Sequence, residues 1–415
     1  MREILKNRDF VLLFTGRLST NAGDSLYSIG VMWLAFQLTG SSLFVGVAGF
    51  LTRAPTAIQF LFGPLVDRWD IRRIFVGTQF VQGLLVLIIP IAAVLDALSI
   101  WILLGVIPVL SLTNQLAMPA YQAVLPRVVT SENLTEANSL FSTAAQGINA
   151  VFNGLSGLLI AVVGATALFT IDAVTFFIAM ILLSQLSFSA ADSEDSAGNS
   201  DAASGYFSEI REGFDYLRGS LVLQIAAIAT FTNFGYGAVL AALPEYANSI
   251  GGPEAYGVLT ATLATGSFVG ALGASFISDV QYGRFLLVGY LTTAVGVILA
   301  VVLPGIVLTA AAILVASVAL GAYSVLTRSM MQSVVDNSLL GRVMSITQSA
   351  YDVMVPVGSL VGGFVSAQFA PRVMFYALGG IYVVNVLYIA GHGTLRSLPK
   401  VGDMDQEMLR LSTKN

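Results

Sequence analysis

The sequence has no cysteine and a single histidine, His392, among its 415 residues. Without thiols there can be no disulfide and no thiolate metal site, and one imidazole cannot build a metal centre alone. One histidine and no cysteine also leave no way to assemble a nucleophile with its base and orienting group. No Gly-rich phosphate loop with its lysine occurs, so no P-loop ATPase is encoded. Charge is scarce: Asp, Glu, Lys and Arg make up 10% of residues against 56% hydrophobic. The basic residues are scattered and form no stripe, which gives no support for a nucleic-acid partner. No cofactor is implied, and the chain does not read as an enzyme.

What remains is apolar. A mean hydropathy of +0.82 leaves more apolar surface than a water-facing exterior can carry. Windows of about 20 apolar residues, enough to cross about 30 Å of hydrocarbon, recur along the chain. No ten-residue alternation marks a β-barrel. The reading is an all-α membrane protein with twelve transmembrane helices, roughly 9–39, 42–66, 74–95, 98–125, 134–163 and 165–188, then 220–247, 255–278, 284–303, 305–334, 341–369 and 373–395. With the N-terminus inside, Lys and Arg crowd the cytoplasmic segments and only Arg372 falls outside, while Arg17, Arg53 and Arg328 lie within spans. Both termini are thus expected in the cytoplasm, and the first helix, which lacks a cleavage site, is expected to stay. His392 reads as interfacial.

Residues 189–205 (SAADSEDSAGNSDAASG) cannot support a core and read as an acidic cytoplasmic linker, and 206–218 as an interfacial helix. The expected divisions are a first six-helix bundle over 1–188, the linker and interfacial helix over 189–219, a second bundle over 220–396 and a cytoplasmic tail over 397–415. The halves repeat at an offset of about 206 to 212. Thr20, Asn21 and Gly23 recur as Thr232, Asn233 and Gly235, and Gln122 as Gln332. Such an order of matches implies two bundles related by pseudo-two-fold symmetry.

Between the second and third spans stands Gly63-Pro-Leu-Val-Asp67-Arg68-Trp-Asp70-Ile-Arg72-Arg73. It resembles the signature loop of the major facilitator superfamily, with Asp70 in place of the usual second glycine. Together with Asn21-Ala-Gly-Asp24, Leu125-Pro-Arg127 and Gly341-Arg342-Val-Met-Ser345, it resembles the branch that contains enterobactin exporters and macrolide efflux pumps. The resemblance covers essentially the whole chain. It implies alternating access by two bundles, an inner-membrane location, a small-molecule substrate and no obligatory partner subunit, so a monomer in the lipid bilayer. In the loop, Gly63 allows close approach and Asp67 can accept N–H groups from a neighbouring helix start, a contact made in one conformation only. Arg68, Arg72 and Arg73 can anchor to headgroups or pair with Asp70.

Two charges sit deep in apolar segments. Asp24 lies about 22 Å along the first helix and Arg53 about 21 Å up the second, so they share a level near the midplane. Intramembrane charges are costly, and a pair lowers that cost. The repeat has Tyr236 and Ala264 there, so the architecture does not require the charges. The expectation is a site where Asp24 exchanges a proton, a role the resemblance also suggests, although a static ion pair is equally consistent with the residues. Arg328 and Asp352 form a candidate second pair, and Asp172, in Asp-Ala-x-x-Phe, reads as packing. The fourth span carries no charge and the fifth has Asn153-Gly-Leu-Ser-Gly157 where antiporters often have Gly-Pro-x-x-Gly-Gly. Tyr27, Trp33, Met118, Phe231, Phe234, Tyr236, Tyr323 and Met331 are candidate walls of a cavity for a bulky lipophilic ligand. The leading expectation is proton-coupled efflux of a drug-like compound or siderophore. A lipid-like substrate, or a transporter-like receptor or scaffold, are the alternatives.

Overall fold

The computed structural model describes residues 4–56, 70–187, 214–406 and 408. Gly63, Asp67 and Arg68 of the signature loop, and the linker, lie outside the described residues. Among those described, every regular element is helical.

A helix leaves four N–H groups unpaired at its start and four carbonyls at its end, and this chain sets polar side chains or glycine there. Asn7 opens α1 (Arg8–Thr39), accepting from the N–H of Asp9 at 3.0 Å and of Phe10 at 3.2 Å. Gly40 closes it with a φ of 64°, the left-handed turn that glycine adopts at least cost. Ser41 caps α2 (Ser42–Arg53) and Asp70 caps α3 (Ile71–Val94). Then come α4 (Ile100–Val128), α5 (Leu134–Val163) and α6 (Ala165–Ser184). The run Leu221–Gly273 is two helices, since Gly251 is extended and Gly252 left-handed at φ 73°. We number them α7 (221–250) and α8 (253–273). After them stand α9 (Tyr282–Val302), α10 (Ile306–Val334), α11 (Asn337–Gln368) and α12 (Arg372–Gly391).

Nine helical stretches among the described residues are long and apolar enough to cross a membrane, with Leu221–Ile277 as one of them. α1 is not among the nine, because Arg17, Asn21 and Asp24 interrupt its apolar run. The second expected span is described only as far as Thr56.

The chain forms two units: residues 1–196 with 247–261, and 197–246 with 262–415. From the sequence, all of 220–396 is expected in the second bundle. Instead 247–261 packs with unit 1, where Tyr256 stacks on Trp33 at 5.0 Å between ring centroids. Gly157 and Gly257 meet there backbone to backbone, with no room for a Cβ on either.

In unit 1, α1 runs along α6. Gly16, Gly23 and Gly30, seven residues apart, turn one bare stripe to it: Gly16 faces Leu183, Gly23 faces Asp172 and Thr175, and Gly30 faces Leu168 and Phe169. Small residues let two backbones approach, which supplies van der Waals attraction where lipid offers no hydrophobic drive. Below them Phe10, Phe14 and Phe141 form an aromatic cluster, and Asp9 accepts from the Ser187 hydroxyl at 2.8 Å.

Unit 2 uses the same device. Gly235 of α7 faces Leu378 and Ile381 of α12, and Gly358 and Gly362 of α11 face Phe234 and Ala238 of α7. Within the segment 397–415 the chain packs against the unit as far as Met404. Leu398, Val401 and Met404 are buried, the Tyr282 N–H donates to the Pro399 carbonyl at 2.9 Å, and Lys400 stands 3.5 Å from Asp279.

Candidate functional site

Asp24 stands near the middle of the 32-residue α1, half-buried. The positive charge acting on it belongs to Arg17, seven residues earlier. Seven residues are two turns of helix, so Arg17 and Asp24 share one face about 10 Å apart along the axis. The Arg17 guanidinium lies over the ring of Tyr121 on α4, 4.9 Å from its centroid. An aromatic face suits a cation in a place with little water.

Arg53 does not pair with Asp24. It continues the face of α2 that buries Gly46 and Gly49, yet it is exposed and is not among the charges that act on the carboxylate. Height along the helices put both charges at one level, where antiparallel neighbours could join them. Height carries no information on cover: Arg53 is left uncovered by the rest of the protein, whereas Asp24 is half-buried.

A second carboxylate replaces it. Asp172 on α6 is 0% exposed, lies against Gly23, and senses the charge of Asp24. The Thr175 hydroxyl donates to the Asp172 backbone carbonyl at 2.8 Å and is also the one donor that bears on the carboxylate, whose oxygens have no partner within hydrogen-bond distance. Tyr27, one turn beyond Asp24, packs edge-on against Phe169 at 5.7 Å with its hydroxyl also unpartnered. From the sequence Asp172 read as packing. Two signals pointed elsewhere: the seven-residue spacing of Arg17 and Asp24, and the repeat. Asn149 bonds across helices, its side-chain oxygen 2.7 Å from the Ser25 hydroxyl.

In unit 2 the centre is aromatic. Tyr290 lies 5.3 Å from Tyr323 and 5.8 Å from Tyr382, ring to ring. The hydroxyls of Tyr290, Tyr323, Tyr351 and Tyr382 have no hydrogen-bond partner, while Tyr282 shares one with Thr327 at 2.8 Å. Arg328 and Asp352 are both exposed and unjoined. Asp352 accepts instead from Gln348, one turn before it on the same helix, at 3.0 Å.

The remaining candidates divide. Trp33 and Met331 are buried, Trp33 against Tyr256. Phe234, Tyr236 and Tyr323 are half-buried, and Phe231 is exposed. The Met118 side chain lies outside the described residues. In the signature loop Asp70 accepts the Arg73 N–H at 3.1 Å as the cap of α3. Arg72 donates to the Ser184 carbonyl at the end of α6, one of the orphan acceptors of that helix. Asp70 and Arg73 also border a cavity of about 640 Å³ between α3 and α4, with Gly77, Thr113 and Leu116.

Apolar helices in a repeated order are those of a multi-pass membrane protein, and comparison with known proteins makes it a transporter. The chain belongs to the transmembrane secretion effector family of the major facilitator superfamily, whose profile matches residues 4–409. It is 24% identical to macrolide efflux protein A of Streptococcus pyogenes over 92% of this chain and 94% of that protein. It is 23% identical to the multidrug efflux pump Tap of Mycolicibacterium fortuitum, over 90% and 93%. Among solved structures it is similar in fold to a variant of the nucleoside transporter NupG, with a TM-score of 0.72 at 11% identity over 93% of this chain and 99% of that one.

Proposed function

We propose that this protein is a secondary efflux transporter that exchanges inward-moving protons for a bulky hydrophobic or amphiphilic compound, with Asp24 as a proton carrier. The observation that carries the reading is Asp24 itself, an acid midway along an otherwise apolar helix with Arg17 two turns away, where the second repeat has Tyr236. A carboxylate in that setting is costly unless its charge is used, and a proton is the simplest ligand that turns the charge off. Export is favoured by the macrolide and multidrug efflux relatives. A lipophilic substrate is favoured by the half-buried Tyr323 and Tyr351, whose hydroxyls are unspent and whose rings offer apolar faces. In this reading the protein works alone in the inner membrane with both termini in the cytoplasm.

The test is ligand-driven pH change in proteoliposomes holding the wild type or Asp24→Asn, with erythromycin, a lipophilic cation and a catecholate siderophore as probes. Proton flux that needs a compound and disappears in Asp24→Asn is the expected result. Movement of a compound without proton flux, unchanged in the variant, would remove Asp24 from the mechanism.

A further inference from the structure

The two halves make the same crossing with different chemistry. In unit 2 a Cβ on Gly235 would stand 2.7 Å from Leu378 Cδ1 and 2.8 Å from Ile381 Cδ1. In unit 1 the equivalent Gly23 is met by Asp172 Oδ1 and Thr175 Oγ1. Asp172 and Leu378 are 206 residues apart, as are Thr175 and Ile381, and Gly23 and Gly235 are 212 apart, the two ends of the repeat's range of offsets. The fold therefore closes this crossing with leucine and isoleucine, and the carboxylate is not there to hold the helices together.

A fully buried carboxylate whose one nearby donor, the Thr175 hydroxyl, is given to a backbone carbonyl is tolerated only if it is neutral or bound to a cation. The charge acting on Asp172 is that of Asp24 on α1, and both carboxylates act in turn on Tyr27 of the same helix. α3 and α5, which also pack on α6, carry ionisable side chains at their ends alone: Arg72 and Arg73 on α3, Glu136 on α5. Arg17 acts on Asp24. Two neighbouring carboxylates with one arginine on the side of Asp24 cannot both ionise cheaply. A metal ion is disfavoured, since hard cations take about six oxygens. Among the described residues no three acidic or histidine side chains gather to hold one.

We infer that Asp172 and Asp24 form a two-carboxylate proton site, with the proton held on buried Asp172 while half-buried Asp24 is ionised on the side of Arg17. This rests on the proton-coupled reading of Asp24 and deepens it. Asp24 is the member that water can reach, and Asp172 is a reserve that keeps the buried pair from carrying two negative charges. No bond changes other than O–H: the proton passes from one carboxylate oxygen to the other.

Infrared spectroscopy of the purified full chain in lipid nanodiscs at neutral pH tests this, because a protonated carboxyl absorbs apart from carboxylate and amide bands and shifts in D₂O. The expected result is a protonated-carboxyl band that is lost in Asp172→Asn and kept in Asp24→Asn. The double variant Asp172→Leu with Thr175→Ile reproduces the contact of the second repeat, and it carries the test if Asp172→Asn does not fold. It should fold and also lose the band. A band unchanged in both Asp172 variants overturns the inference. So does a band that sodium chloride removes at fixed pH and potassium chloride does not, since the site would then be a sodium site. Proton flux in proteoliposomes, lost in Asp24→Asn or not, judges the reading of Asp24 separately, so the two can fail independently.

Discussion

The first helix of each unit enters the same crossing with a bare glycine, yet Gly23 meets an aspartate and a threonine where Gly235 meets a leucine and an isoleucine. Next to those glycines stand Asp24 in one unit and Tyr236 in the other. Unit 2 behaves like an ordinary membrane bundle at this point, since small residues admit apolar ones and van der Waals contact does the rest. Unit 1 keeps the backbone and gives up apolar contact to hold two acids. A duplicated fold thus contains its own control: whatever the second unit does without is not needed for assembly.

The comparison can be broken at several places. The largest effect belongs to Asp24→Asn, which should abolish compound-dependent proton flux in proteoliposomes while leaving the protein folded by size-exclusion chromatography. Arg17→Gln comes next. It removes the one positive charge acting on Asp24 and the cation over the Tyr121 ring, and should slow transport about tenfold, the equivalent of roughly 1.4 kcal/mol. Initial rates in the same liposomes measure it, and a rate equal to wild type would mean that Arg17 serves only packing.

Glycine substitutions sharpen the contrast in stability. In Gly23→Ala the new methyl would press on Asp172 and Thr175, and the cost should be about 1–3 kcal/mol, read as a lower midpoint in thermal unfolding in detergent. Gly235→Ala should cost less, because the ends of the Leu378 and Ile381 side chains can swing away. Equal losses would mean that the polar crossing is no tighter than the apolar one. Tyr382→Phe removes a fully buried hydroxyl that has no partner and should change stability by less than about 1 kcal/mol, or raise it. The smallest effect is assigned to Arg53→Gln: proton coupling should survive, since Arg53 is exposed and does not act on Asp24.

Much of this was legible in the residues. The apolar windows and the repeat point to a helical membrane protein, and the loop around Asp70 with the Asn21-to-Asp24 run pointed to the superfamily to which the chain belongs. Asp24 was legible too, as an acid out of place. Its partner was not. Height along a helix can be reckoned from 1.5 Å per residue, but the direction of a side chain and the cover above it cannot, so Arg53 and Asp24 matched in level and failed to meet. Arg328 and Asp352 failed likewise, and Asp352 accepts from Gln348 one turn away on its own helix. Asp172 looked like packing because an isolated acid in an apolar helix carries no label. Only against Gly23, and beside the leucine of the other half, does its role become visible.

From the residues alone it follows that the chain spans a membrane by helices, that it does so twice over, and that Gly23 and Gly235 stand at matching places in the two halves. Composition and period act residue by residue, so they need no knowledge of neighbours distant in the chain. Which charges share a site was settled by tertiary contact, since an unsolvated carboxylate is governed by what surrounds it in three dimensions. α1 and α6, far apart in the chain, had to be laid side by side before Asp24 and Asp172 could act on each other.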